Sequence, residues 1–445
     1  MSLTSEELGP RYDVLVIGGG PGGSTTATLL ARKGWKVALV EKERHPRFHI
    51  GESLLPMNMP IFEELGVLEK LNGIGIKKHG ADFPATNERG YNVFRFTRML
   101  NPAWDHAFQV KREELDQMLF SHAAENGVAT FEDAKVSRVA FDSADGAVAD
   151  IAFKAGTVKS VRARYVVDAT GRDTFLGGQL GLKRKHRKHQ SAALFAHFRG
   201  VERRPGEDEG NISIYRFDQG WVWLIPLRGE HTSVGAVCSP EYLKQRAGNN
   251  REFLLQTLRS IPDLSQRLEN ADVVGNLHAT GNYSYSCRRM SGRGWLMVGD
   301  AYAFLDPIFS TGVYLAMYSA QRAAVVVDES LRNPRAEKSL QRQYARDVKQ
   351  GLSSLTWFIH RFTSPAMRYL FANPRNVFRV EEAMISMLAG DVFRDGGVKW
   401  RLRIFKGLYF ITSLGMLKDV ARSFCARRRQ AAARFTGGTT SHDTA

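Results

Sequence analysis

The stretch "YDVLVIGGGPGGSTTATLLARKGWKVALVEKE", residues 12–43, decides the fold. A strand-like apolar run meets a glycine-rich turn, a helical pattern follows, and a second apolar run closes on an acidic residue. The pattern predicts a strand over 12–17, a helix over about 21–33 and a strand over 36–40, a βαβ unit. Gly18, Gly20 and Gly23 supply G-x-G-x-x-G at the mouth of that helix. The first glycine permits the tight turn, the second lets a pyrophosphate approach the backbone, and the third lets helix and strand pack closely. Phosphate charge then meets the helix N-terminus. Glu41, about 20 residues on, is placed to accept hydrogen bonds from ribose hydroxyls. Glycine spacing alone also occurs in ordinary turns. The complete βαβ setting with its acidic residue is what reads as a dinucleotide site.

Working outward, 445 residues can form two or three packed layers, expected here as two interleaved domains. Cys238, Cys287 and Cys425 lie far apart with no CxxC, so neither a disulfide framework nor any metal site is expected, and a reducing cytoplasm fits. The polar opening segment and the lack of any run of roughly 18 apolar residues argue against secretion and a transmembrane segment. The net charge of +16 raises nucleic acid, an anionic surface or an acidic protein as partners. It concentrates in "LKRKHRKH" (182–189) and between Arg394 and Arg434, and no nucleic-acid-binding signature accompanies either. Both read as solvated faces, with no nucleic acid partner.

Leu115, Met118, Leu119 and Ala123 recur at helical spacing before Gly127, which predicts an amphipathic helix. Short alternating segments from about 190 to 238 predict an antiparallel sheet, and "RGWLMVGDA" returns to a buried strand. Helical patterns occupy 312–331, 336–361, 376–389 and 399–429. The expected fold class is α/β: a Rossmann-type FAD-binding domain, an interleaved antiparallel-sheet substrate domain and a helical C-terminal region. The corresponding divisions are 1–80, 105–185 and 275–330; 81–104 and 186–274; and 331–430, with a flexible tail over 431–445.

"VVDATGRDT" (166–174) and "WLMVGDAYAFLDP" (295–307) resemble the later motifs of the FAD-dependent monooxygenase superfamily. The resemblance implies that Asp300 contacts the flavin ribityl chain, that Arg112 lies near the pyrophosphate, and that "GES", with Ser53, passes the isoalloxazine. Within that superfamily the chain is similar to the flavin-dependent halogenases, of the phenol/pyrrole type. Trp221, Trp223, Ile225 and Pro226 match W-x-W-x-I-P; Phe304, Pro307, Ser310 and Gly312 match F-x-x-P-x-x-S-x-G; and Lys78 stands in the K-x-G-A setting of the family's essential lysine. Lys77 is its adjacent rival. Each motif has an ordinary reading too: alternating tryptophans belong to many cores, and a lone lysine is usually on a surface.

The family implies FAD, used as FADH2, with dioxygen and chloride or bromide. Trp221 and Trp223 would keep an organic substrate off the flavin, and Pro307 would lie at the cofactor. Ser310, Thr311 and Gly312 would cradle halide at a helix N-terminus. Lys78 would receive hypohalous acid, either hydrogen-bonding it or forming a haloamine. In the branch acting on free tryptophan a glutamate precedes the serine of S-T-G, whereas Phe309 stands here. That departure points to an electron-rich phenol or pyrrole, free or on an acyl or peptidyl carrier protein. No second G-x-G-x-x-G is present, so a separate flavin reductase is expected as a partner. The alternatives are an FAD-dependent aromatic hydroxylase, a polyprenyl-type flavin reductase, and a basic peripheral membrane binder whose final helix is amphipathic.

Overall fold

In the computed structural model, the described residues are 2–417, except 86–89, 103, 143–145, 247, 305, 375 and 395–396, together with 421, 422 and 425. The tail expected over 431–445, the basic cluster Arg427–Arg429, and the side chains of Lys185–His189 and Pro307 lie outside that set.

Five parallel strands run in the order Trp295–Met297, Val158–Asp168, Arg11–Ile17, Val37–Val40, Ala129–Phe131. Arg11–Ile17 is central, and Val14, Leu15 and Val16 are wholly buried, as a parallel strand covered on both faces requires. Helix Pro21–Arg32 packs against both Arg112–Glu125 and Gly312–Arg332 beside this sheet. Ile17 pairs with both Val40 and Asp168, so three strand ends and their following turns open on one crevice. That is where ligands bind in open α/β sheets.

The second sheet has eight strands, in the order Ala303–Phe304, Asp272–Cys287, Lys183–Arg199, His231–Cys238, Gly220–Pro226, Ile212–Phe217, Gly80–Pro84, Tyr91–Arg95. All pairs are antiparallel except Ile212–Phe217 with Gly80–Pro84. Period-two alternation sorts its side chains into two cores. Trp221, Trp223 and Ile225 join the core shared with helices Glu337–Ile359, Pro365–Ala372, Val380–Leu388 and Val398–Gly415. Val222 and Leu224 face the core closed by Asn250–Arg259 and Pro262–Arg267.

Within the C-terminal helical region the element expectations differ from the structure at two places. The helix expected over 376–389 is regular only over Val380–Leu388, because Phe378 and Arg379 take left-handed φ values of 54° and 59°. Helix Pro365–Ala372 was not expected, although Ser364 followed by proline is a helix-start signal: its Oγ accepts from the Met367 N–H at 3.3 Å. Among the described residues no helix is long and apolar enough to cross a membrane.

Candidate active site

One cavity of about 710 Å³ opens on the crevice and reaches the second sheet. At its nucleotide end, Gly18 has φ +103°, and a Cβ there would lie 2.4 Å from the Ala169 carbonyl oxygen. A Cβ at Gly23 would lie 1.8 Å from the Gly18 oxygen, so the third glycine is what lets the helix seat on the turn. At Gly20 only Arg47 Nη2, at 3.8 Å, would be near. This second glycine faces open space, as a pyrophosphate cradle requires. Helix Pro21–Arg32 has no side-chain cap and no acidic residue in its first turn, leaving its N–H groups for an anion.

Glu41 is buried at the cavity edge; its Oε2 accepts from the Gly19 N–H at 2.7 Å and from Arg47 at 3.3 Å. It therefore ties the glycine turn while lining the cavity. Arg112 grips Asp116 through Nε and Nη2 at 2.9 and 3.0 Å and donates its third arm to the Ile50 carbonyl at 2.8 Å. Arg47 meets the same carboxylate at 3.2 Å. Burial would raise Asp116, but Arg112 and Arg47 outweigh it and hold the carboxyl below the usual range. Asp116 and Arg47 were missed by sequence reasoning. Asp116 had one signal, its i+4 spacing from Arg112 on a helix; Arg47 had none.

Asp300 faces the cavity from the turn Gly299–Ala301, held by Tyr285, whose hydroxyl donates to its carbonyl at 2.8 Å. Burial pushes its carboxyl up to about 6, with Arg172 and Arg112 opposing. Such a group is stabilised by hydrogen-bond donors from a bound polyol. The open glycine cradle, the uncapped helix and this donor-seeking carboxyl fit a flavin dinucleotide.

At the other end stand Trp221 and Trp223, 5% and 4% exposed, with ring centroids 5.7 Å apart. Trp223 Nε1 donates to Ser233 Oγ at 3.2 Å. Its cross-strand partner is Gly235, where a Cβ would come within 2.2 Å of the indole. The indole thus occupies the volume that any other residue at 235 would need. Beside it, Ser310 takes a left-handed φ of +56° and turns the chain into helix Gly312–Arg332. The Leu315 N–H is satisfied by the Thr311 carbonyl at 2.8 Å, while the N–H groups before it have no intrahelical acceptor. Phe309 is buried, its ring edge-on to Phe362 at 5.5 Å.

The cavity wall gathers Gly18, Gly20, Glu41, Ser53, Arg112, Trp221, Trp223, Asp300, Ser310, Thr311 and Gly312. Lys78 is not on that wall. It lies behind it, 2% exposed, donating to Ser53 Oγ at 2.9 Å and the Leu54 carbonyl at 3.0 Å, with its ammonium 5.4 Å from the Phe96 ring centre. Burial pulls the amine from the usual 10.5 down to about 7. Lys77, its neighbour on strand Gly75–Lys78, is exposed.

The sequence profile of the FAD binding domain family matches residues 11–353. Tryptophan 2-halogenase of Chondromyces crocatus is 38% identical over 72% of this chain, and the chain spans 62% of that relative's length. The chlorinase of 1H-pyrrole-2-carbonyl on a peptidyl-carrier protein from Pseudomonas fluorescens is 30% identical over 86% of this chain and 90% of its own. The chain belongs to the flavin-dependent halogenases. The solved flavin-dependent brominase Bmp2 superposes on this family member with a TM-score of 0.80 at 29% identity, covering 89% of this chain and 98% of its own.

Proposed function

We propose that the protein is an FADH2-dependent halogenase that uses dioxygen and chloride or bromide to halogenate an electron-rich phenol or pyrrole, free or carried on an acyl or peptidyl carrier protein. The observation that carries the reading is a partition. The dinucleotide cradle and both tryptophans line one cavity, while a desolvated lysine stands behind its Ser53 wall. Bound reduced FAD, with dioxygen, supplies the oxidising equivalent that turns halide into hypohalous acid.

The chain's own residues do the rest. Gly18, Gly20 and the helix start hold the pyrophosphate, Gly23 lets that helix pack, Glu41 faces the ribose, and Arg112, Ser53 and Asp300 line the path to the ring. Pro307 begins the turn at the flavin. Ser310 sets the turn whose N–H groups, at Thr311 and Gly312, hold halide. Trp221 and Trp223 fill the space an aromatic acceptor would need beside the cofactor. Lys78 receives hypohalous acid. As a neutral amine it forms an N–halogen bond and releases water; the acceptor then takes the halogen and returns a proton to the nitrogen. As an ammonium it hydrogen-bonds the acid instead. A value near 7 supports the first route, because the neutral amine is then well populated at neutral pH.

Phe309 offers no base to the reacting ring, which supports an acceptor whose own heteroatom stabilises the cationic intermediate. The pyrrole relative on its carrier and the +16 charge support an acidic carrier as partner. A single dinucleotide motif supports a separate flavin reductase. The buried free Cys238 and Cys287 support a reducing cytoplasm.

The test supplies a flavin reductase, NADH, FAD and bromide with phenols and pyrroles, free and carrier-bound, and seeks the bromine isotope doublet by mass spectrometry. Oxygenated product formed without halide would instead make it a hydroxylase. Lys78→Ala should bind FAD and consume oxygen but make no organohalide.

A further inference from the structure

Strand Ile212–Phe217 pairs with Gly220–Pro226 so that Arg216 lies directly opposite Trp221. Opposed residues share a face of the sheet. Arg216 therefore enters the aromatic core on the side that carries the tryptophans. Its guanidinium carbon lies 5.1 Å from the ring centre of Phe362 and 5.9 Å from those of Phe83 and Phe371. Nη1 is sealed from water and has no hydrogen-bond partner among the described residues. Among the described residues no carboxylate offsets the charge. Burial, with repulsion from Arg368, pulls the guanidinium down to about 10. Asp218, the acid nearest in sequence, is 91% exposed and pairs with Arg368.

Three ring faces attract a cation weakly, and a desolvated donor left unpaired costs more than they return. A core of phenylalanines would be filled as well by methionine. A guanidinium retained there, one ring away from Phe309 at the start of the halide turn, calls for an anionic partner. That ring is Phe362, which is edge-on to Phe309, the residue before Ser310.

We propose that Arg216 anchors the aromatic acceptor by donating from its unpaired Nη1 to an anionic oxygen, phenolate or carboxylate. The inference rests on the halogenase reading and narrows its acceptor to an acidic aromatic. A phenolate held there stays ionised, which enriches the ring toward electrophilic halogen. A carboxylate held there only orients it.

Full-length, FAD-loaded protein without reductant or halide is titrated, with binding read by tryptophan quenching and checked by calorimetry. The probes are para-hydroxybenzoate, its methyl ester, and its methyl ether, with pyrrole-2-carboxylate and its amide. The wild type should bind the anionic member of a pair at least about 10-fold more tightly, and Arg216→Met should erase that preference with a loss of about 10- to 100-fold, as for hydrogen bonds to a charged group. Arg216→Lys should restore part of it. Melting of Arg216→Met without ligand should stay level or rise, since a half-buried cation with a sealed, unpaired Nη1 is removed. Loss on the ester arm alone assigns the carboxylate, and loss on the ether arm alone the phenolate. Equal binding of charged and neutral probes by the wild type overturns the anchor, as does a marked fall in the melting temperature of Arg216→Met. Neutral acceptors brominated with a KM that Arg216→Met leaves unchanged would sink the anchor and keep the halogenase. An intact charge preference with no organohalide from any acceptor would sink the halogenase and keep the anchor.

Discussion

Replacing Lys78 by methionine should change how stability depends on pH. The amine titrates near 7 in the fold against the usual 10.5. Between those values the unfolded chain binds a proton that the folded chain does not, so wild-type stability rises with pH across that window. Below pH 7 both states are protonated, and the cost of burying the charge is fully present. At 1.36 kcal/mol per unit, a shift of this size amounts to roughly 5 kcal/mol. Methionine removes that cost but leaves Ser53 Oγ and the Leu54 carbonyl without their donor, at about 1–3 kcal/mol each. The offset between variant and wild type is therefore small, and the slope is diagnostic. Denaturant titrations at saturating FAD, from pH 6 to 9.5, should find wild type gaining on the variant by about 1.4 kcal/mol per pH unit above 7. Halogenation by the wild type should climb between about pH 6 and 8 and then level off, as the neutral amine becomes the main form. A difference in stability that stays flat from pH 7 to 9.5 would mean that Lys78 keeps an ordinary amine, and the haloamine route would lose its physical basis.

Gly235→Ala should cost about 1–3 kcal/mol, since its Cβ falls on the Trp223 indole; the displaced ring should show as lost near-ultraviolet dichroism and a lower melting temperature. Asp116→Asn removes the negative partner of Arg112 and Arg47 from a buried site, so FAD affinity measured by flavin fluorescence should fall and stability should drop by about 3–5 kcal/mol; unchanged affinity would separate Arg112 from cofactor binding. Phe309→Glu places a carboxylate against Phe362. Its folded value rises above the usual 4.3, so the deficit in stability should be small at pH 4 and grow as pH rises; a deficit independent of pH would mean the side chain escapes the core.

Residues 12–43 determine their own structure, because strand, turn and helix there rest on neighbours along the chain and on glycines that the turn geometry demands. The same local logic made Trp221, Trp223 and the Ser310 turn legible as motifs, and Phe309 as a departure from one. Lys77 and Lys78 are different. Alternation sends them to opposite faces of a strand, but only the packing of Phe96 and the Ser53 segment decides which one is desolvated. Gly235 likewise carries no mark of its purpose until register sets it under an indole. Arg47 and Arg216 acquire their meaning from partners, or from the lack of one, contributed by distant segments, and Asp116 adds to its i+4 neighbour Arg112 a second arginine from afar. Short-range sterics and hydrogen bonding write a cofactor cradle into consecutive residues. Desolvation and charge pairing depend on what the rest of the chain brings alongside, and these were decided by the tertiary structure.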